Sequence, residues 1–347
     1  MEGAWRTMNL LAVVDASIKK EGLQDLTMKR TVSSVPFAGR YRLIDFVLSN
    51  LVNSGVSTVG VFPSYPLASL LDHIGVGKSW DLDRRKNGLY FLPVTQRDGG
   101  ISSVGAFAGL EEHLQFFTKS IQPYVIVTNS FVVTQLDYKD MLEKHIKSGA
   151  DFTEAVSKGV QLKTYILSKD LLVELLRSYV DKQVVSVEDV VNLKKSPYTF
   201  NEYEYEGYFA VIDSIQSYFE ASLDLLNEDK REQLFLADRP IFTKVKDEPP
   251  TRYVSGSHVE RALIANGSTI MGTVTDSLIS RGVYIKKGAH VENCIIMQKS
   301  TVEENCDLAY VIADKEVYIG EGVLLHGTPE RPIVLRKGAS VSKEDLR

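Results

Sequence analysis

Cysteine is nearly absent from the 347 residues: Cys294 and Cys306 are the whole supply. Two thiols cannot make a disulfide framework and lack zinc-ligand spacing, so a reducing compartment is expected and no metal site is read from them. A basic excess is also missing. Lys and Arg number 40 against 45 Asp and Glu, a formal net charge of -5, so no global field draws the chain to nucleic acid or an anionic membrane. Any anion site must be local. The early apolar run at 10–14 is far shorter than a signal core or a membrane span, and a cytoplasmic location is expected. With 44% hydrophobic and 24% charged residues, disordered, collagen-like and coiled-coil classes are excluded.

The length exceeds what one hydrophobic core usually serves, so two domains are expected. In the first part, 9–14, 58–62 and 124–127 read as buried strands, and 43–52, 106–117, 169–179 and 214–226 as helices. This alternation predicts a mostly parallel, Rossmann-like α/β sheet domain, whose ligands bind beyond the carboxyl ends of the strands. Pro240, Pro249 and Pro250 then break regular structure. The division expected is an α/β domain over 1–238, a linker over 239–253 and a second domain over 254–347.

Beyond the linker the pattern changes. Aliphatic residues recur every six: Ile264 and Ile270, then Ile279, Ile285 and Val291, then Ile296, Val302 and Leu308. Gly267, Gly282 and Gly288 each follow an anchor by three, as Gly322 follows Ile319. Six-residue periodicity predicts a parallel β-helix, each repeat forming one face of a triangular coil. Such coils serve both as acyltransferase walls and as assembly scaffolds. His258, His290 and His326 are available for the first role, or stand on a solvated edge.

The stretch Val35-Pro-Phe-Ala-Gly-Arg-Tyr-Arg-Leu-Ile-Asp-Phe-Val-Leu-Ser-Asn50, followed by Gly55, resembles the early motif of bacterial glucose-1-phosphate adenylyltransferases. Lys78-Ser-Trp-Asp-Leu-Asp-Arg-Arg85, Leu136-Asp-Tyr138, Gly207-Tyr208 and Pro240-Ile-Phe-Thr243 agree in order. The resemblance implies a nucleotidyltransferase-type α/β domain joined to a left-handed β-helix, tetrameric assembly, and a part in making ADP-glucose for glycogen. That chemistry joins ATP to glucose 1-phosphate and releases pyrophosphate. It needs a glycine loop for phosphates, carboxylates for magnesium and cations for the developing charge.

Few of these groups stand at the matching positions. The Gly-Gly-x-Gly-x-Arg-Leu loop after the first strand becomes Asp15-Ala-Ser-Ile-Lys-Lys-Glu-Gly-Leu-Gln-Asp-Leu-Thr27, with Gly22 its one glycine. Val32 stands where the family has lysine, Ala108 where it has aspartate, and Phe131 and Val211 where it has the two metal carboxylates. The sugar-phosphate motif is missing from 151–165, a stretch tens of residues shorter than the family implies, by deletion or by omitted residues.

Basic residues survive elsewhere. The resemblance places Lys29, Arg30 and Arg42, with Arg40 beside them, in an effector pocket for sugar phosphates or nucleotides; the other reading is a solvated or salt-bridged basic face. The segment 78–85 reads as a docking or a solvated surface loop. The chain is thus most similar to the non-catalytic regulatory subunit of this family in Gram-positive bacteria. It is expected to hold no cofactor itself, to assemble with a catalytic homologue that carries Mg2+, and to modulate ADP-glucose synthesis. The alternatives are an active nucleotidyltransferase rebuilt from Asp15, Asp213 and Lys19 or Lys20, and a free-standing sugar-phosphate or nucleotide sensor.

Overall fold

A computed structural model describes residues 9–84, 87–95, 103–195 and 197–345. The first domain is built on seven strands: β1 Leu10–Ala16, β2 Thr58–Pro63, β3 Leu89–Phe91, β4 Tyr124–Asn129, β5 Phe152–Ser157, β6 Val160–Ser168 and β7 Phe200–Glu204. They lie in the order β7-β5-β6-β4-β1-β2-β3. Only β6 runs antiparallel to its neighbours; the other pairs are parallel. Every residue of β1 is buried, as its unbroken apolar run requires of a strand covered on both faces. Strand order reverses at β1, which carries β2 on one side and β4 on the other. Crevices for ligands open at such reversals.

Two local expectations change. Residues 106–117 form two short helices, Phe107–Glu111 and Leu114–Thr118, because both intervening side chains are held from the segment after β3. Glu112 accepts from the Thr95 backbone and hydroxyl, both at 3.1 Å, and His113 Nε2 lies 2.8 Å from the Pro93 carbonyl. The short stretch after 151 is a closed hairpin: Ser157 pairs with Val160 across Lys158 and Gly159, whose φ angles are 50° and 77°. Two successive positive φ values make the tight turn that suits strand twist.

The second domain is a parallel β-helix with sheets of six, five and five strands, consistent with the left-handed hexapeptide form. All the aliphatic anchors point into its interior, and Gly267, Gly282, Gly288 and Gly322 turn its corners with positive φ. Its first strand, Arg252–Tyr253, lies inside the expected linker, so the coil starts two residues early. Nor is the linker a free tether. Asn53 Nδ2 and Gln135 Nε2 donate to the Pro240 and Arg239 carbonyls at 3.0 and 2.9 Å, and Phe242 N–H donates to Ser49 Oγ at 2.8 Å.

One flank of the β-helix is apolar on both sides. Ile264, Ile279 and Ile296 face inward, while the adjacent Ile295 and Ile312 join the core of the α/β domain. The domains therefore share buried surface. Phe219 packs on Tyr310 with ring centres 6.3 Å apart, Arg336 bonds Asp25 at 2.6 and 2.9 Å, and Arg30 forms a buried ion pair with Asp314.

Candidate ligand sites

Where β1 and β4 end, side-chain charge is met from within the protein. Asp15, at the end of β1, is buried, and burial pushes its carboxyl up while hydrogen bonds oppose the shift. Ser17 donates its N–H and hydroxyl to Oδ1 at 3.1 and 2.7 Å, and Gly105 N–H donates to Oδ2 at 2.8 Å. Gly105 has φ +72°, and a Cβ there would meet Val127 at 2.8 Å, so only glycine brings this N–H to the carboxylate. Gly22 contributes no phosphate cradle. It packs on Asp213 and Ser214, and its carbonyl accepts from Ile215 N–H at 2.8 Å.

The two positions matching the family's metal carboxylates do come together. Val132 pairs with Val211, and Ile212 N–H donates to the Phe131 carbonyl at 2.7 Å. The side chains there are a buried phenyl and an isopropyl group, and Lys20 Nζ sits 4.0 Å from the Phe131 ring centre. Burial, then the charge of Lys163, pushes the Lys20 amine down. Lys163 pairs with Glu188, which also accepts from Val104 N–H at 2.6 Å. Asp213 is exposed and accepts from Ser217 Oγ at 3.1 Å. Among the described residues no group of three or more His, Cys, Asp or Glu could hold a metal ion. These residues do not fit magnesium, which requires oxygen ligands in near-octahedral array.

Beside this cleft, a cavity of about 530 Å³ lies between the segment after β1, the turn at Thr27–Val32 and the segment after β2. Val32 is a buried part of its wall, and Ala108 sits half-buried in the helix Phe107–Glu111. Arg30 also reaches the cavity, with Nη2 on Asp314 and Nη1 lacking a protein partner.

A second cavity, of about 340 Å³, lies where the hairpin at Arg40–Arg42, the linker and the β-helix corners meet. Arg40 and Arg42 come from the first, Lys244 and Lys246 from the second, and Arg281, Lys299 and Lys315 from the third; Glu248 is the one carboxylate in the lining. Arg42 is fixed by donating from Nη1 to the Ser69 hydroxyl at 3.0 Å, and its N–H reaches Asp45 at 3.0 Å. Asp45 also holds His73 at 2.5 Å. The four basic residues singled out in the sequence are thus divided. Arg40 and Arg42 line this cavity, Arg30 lines the other through its link to Asp314, and exposed Lys29 lines neither. Sequence reasoning missed the five cations of the linker and β-helix. A signal existed: Arg281, Lys299 and Lys315 follow the inward residues Ile279, Ile296 and Ala313 by two or three positions in successive coils.

The remaining candidates are placed elsewhere. His258, His290 and His326 are exposed on one β-helix flank beside Glu260 and Asp307. Trp80 is buried and donates to Ser49 Oγ at 3.3 Å, anchoring the segment 78–84 to its own domain; Arg85 lies outside the described residues.

Comparison with known proteins gives this geometry its context. The family described as Nucleotidyl transferase matches residues 21–164, and that described as GlmU-like, C-terminal hexapeptide matches 249–331. The glycogen biosynthesis protein GlgD of Bacillus subtilis (strain 168) is 43% identical over 329 residues, covering 95% of this chain and 96% of that protein. GlgD of Geobacillus stearothermophilus is 46% identical over 330 residues, with coverage of 95% and 96%. The chain belongs to the GlgD family. A glucose-1-phosphate adenylyltransferase of Bacillus cereus (strain Q1) is more distant, 27% identical over 361 residues at 93% and 96% coverage. That alignment runs longer than the chain itself, whereas those with the GlgD proteins leave little room for insertions. The short β5–β6 hairpin therefore accords with the GlgD pattern. Among the described residues no helix is long and apolar enough to cross a membrane.

Proposed function

We propose that this chain is a regulatory subunit in glycogen synthesis, without turnover of its own, that assembles with a catalytic glucose-1-phosphate adenylyltransferase and alters its rate or effector response. The observation that carries the reading is the Phe131–Val211 pair. The two segments lie side by side through the Val132–Val211 pairing, and at both positions they carry apolar side chains where the family has carboxylates. Each preorganised electrostatic partner removed from such a site raises the barrier by about 3 to 4 kcal/mol. The missing glycine loop and both missing metal ligands support reading the chain as catalytically silent.

Against the rebuilt-site alternative stand the ties of Asp15 to Gly105, of Asp213 to Ser217 and of Lys20 to the Phe131 ring, while Lys19 lines the larger cavity. The cationic cavity supports an effector role, because arginine and lysine side chains converging from three segments suit the phosphates of a sugar phosphate or nucleotide. Magnesium is then the catalytic partner's cofactor.

The test is to purify the chain, a catalytic homologue and their mixture, and to measure mass and ADP-glucose formation from ATP, glucose 1-phosphate and Mg2+. The chain alone is expected to be silent, and the mixture to form a larger species with altered rate or effector response. Turnover by the chain alone at ordinary enzyme rates overturns the proposal. Failure to associate, with anion binding intact, favours the sensor reading.

A further inference from the structure

The cavity between the domains holds more positive charge than its surroundings neutralise. Facing Lys315 are Arg42 from the hairpin, Arg30 from the turn before it, Lys246 from the linker and Asp314, its neighbour in the chain. Arg40, Lys244, Arg281 and Lys299 complete the cationic lining, with His73 as a further titratable group. The nearby carboxylates are already engaged. Asp314 meets Arg30 through Oδ2 and the N–H of Lys315 itself through Oδ1 at 2.7 Å. Asp45 accepts from Arg42 N–H and holds His73, and Asp72 meets Lys244 at 3.1 Å. Glu248 faces Arg281. Among the described residues the ammonium groups of Lys246, Lys299 and Lys315 have no ion-pair partner.

A half-buried cluster of like charges relieves its repulsion most cheaply by releasing a proton, and only lysine and histidine can do so here, since arginine stays charged. We infer that an anion enters this cavity together with a proton, which the Lys315 amine takes up as the ligand replaces its missing counter-charge. This rests on the reading of the cavity as an anion effector site and adds a regulatory property to it: the effector response is itself pH-dependent.

The sign follows from the empty cavity. Burial, then Arg42 and Arg30, push the Lys315 amine down to about 7, with Asp314 opposing. Above that pH the empty protein carries a neutral amine. A bound dianion supplies the absent negative charge and raises the amine's proton affinity, so binding takes up as much as one proton. Affinity therefore falls as pH rises, by up to about tenfold per unit between the empty and bound pKa values. His73, pushed down from an already lower ordinary value, titrates below this window.

Sulfate is the probe, because it stays a dianion from pH 6.5 to 9 and releases no proton of its own. Sulfate binding to the full chain is measured by calorimetry at pH 7.5, 8.0 and 8.5, each in two buffers of different ionisation enthalpy. The expected result is uptake of about half to one proton and a Kd that rises several-fold to about tenfold across that range. Lys315→Arg, which stays charged, should bind with a nearly flat pH profile and no uptake, and Lys315→Met should bind more weakly with no uptake. Absence of sulfate binding at every pH overturns the effector-site reading and this inference with it. Wild-type binding without proton uptake overturns the inference alone, whatever the variants do. Uptake that persists in Lys315→Arg assigns the proton to another group and also overturns it.

Discussion

Asp314→Ala is the most informative single perturbation of the domain contact. Arg30 and Asp314 are 4% and 1% exposed, so removing the carboxylate leaves a guanidinium buried without its counter-charge. Breaking such a pair costs about 3 to 5 kcal/mol. Arg30 Nη1 already lacks a partner, and Lys315 N–H loses its acceptor as well, which adds about 1 kcal/mol. Removing both charges in Arg30→Met with Asp314→Leu should recover most of that loss, because the desolvation cost disappears with the attraction. Urea unfolding is followed by fluorescence of buried Trp80 in the α/β domain and by circular dichroism for the β-helix. With a slope of about 3 kcal/mol per molar, the single variant should lose about 1.3 to 2 M in midpoint. Asp25→Asn is the control. It breaks the half-exposed link to Arg336 and should cost less than about 1 kcal/mol. A cost for Asp314→Ala below about 1 kcal/mol, or a double variant as unstable as the single, would refute the account of a pair that pins the two domains.

Two further outcomes are expected. Glu154 is buried in β5 and its carboxyl is pushed up to about 7, chiefly by burial, with Lys194 opposing. The folded protein therefore keeps a proton that the unfolded chain releases above about 4.5, and stability falls as pH rises from there to about 7. Glu154→Gln should raise the urea midpoint at pH 8, by about 2 to 3 kcal/mol in stability, and change it little at pH 5. Phe131→Ala should cost about 3 to 4 kcal/mol in the same assay, since it empties a buried aromatic site and removes the ring beneath Lys20.

The β-helix was legible because its interior admits one kind of side chain at fixed intervals, a constraint written locally in the chain. Its coil length was not. Ile279 pairs with Ile264 and Ile296, 15 and 17 residues away, so each coil falls short of three full hexapeptides at a corner. Which flank packs on the other domain was also hidden. Ile295 and Ile312 look like further core residues until strand register turns them outward. Lys29 and Arg30 show the same limit on a smaller scale. They are adjacent and both basic, yet one is exposed and the other buried against a residue 284 positions on. Phe131 and Val211 could be named from motif position, but their adjacency depends on the antiparallel Val132–Val211 pairing.

The cleft and the cavity treat charge in opposite ways, and the difference bears on which of them meets a ligand. In the cleft, Asp15 is satisfied by Ser17 and Gly105, Glu188 by Lys163 and Val104, and Lys20 by the face of Phe131. Its charged groups are consumed by the fold. In the cavity, Lys246, Lys299 and Lys315, which have no ion-pair partner among the described residues, stand near three arginines. Clustered like charge lowers the stability of the folded state, and a single exchange of lysine for glutamine or glutamate would relieve it. Packing does not call for these ammonium groups, since lysine's methylene stem could serve that purpose with the head in water. The cluster has a physical rationale once an anion supplies the missing negative charge. On that ground the proposed effector site is the interdomain cavity rather than the cleft at the ends of β1 and β4.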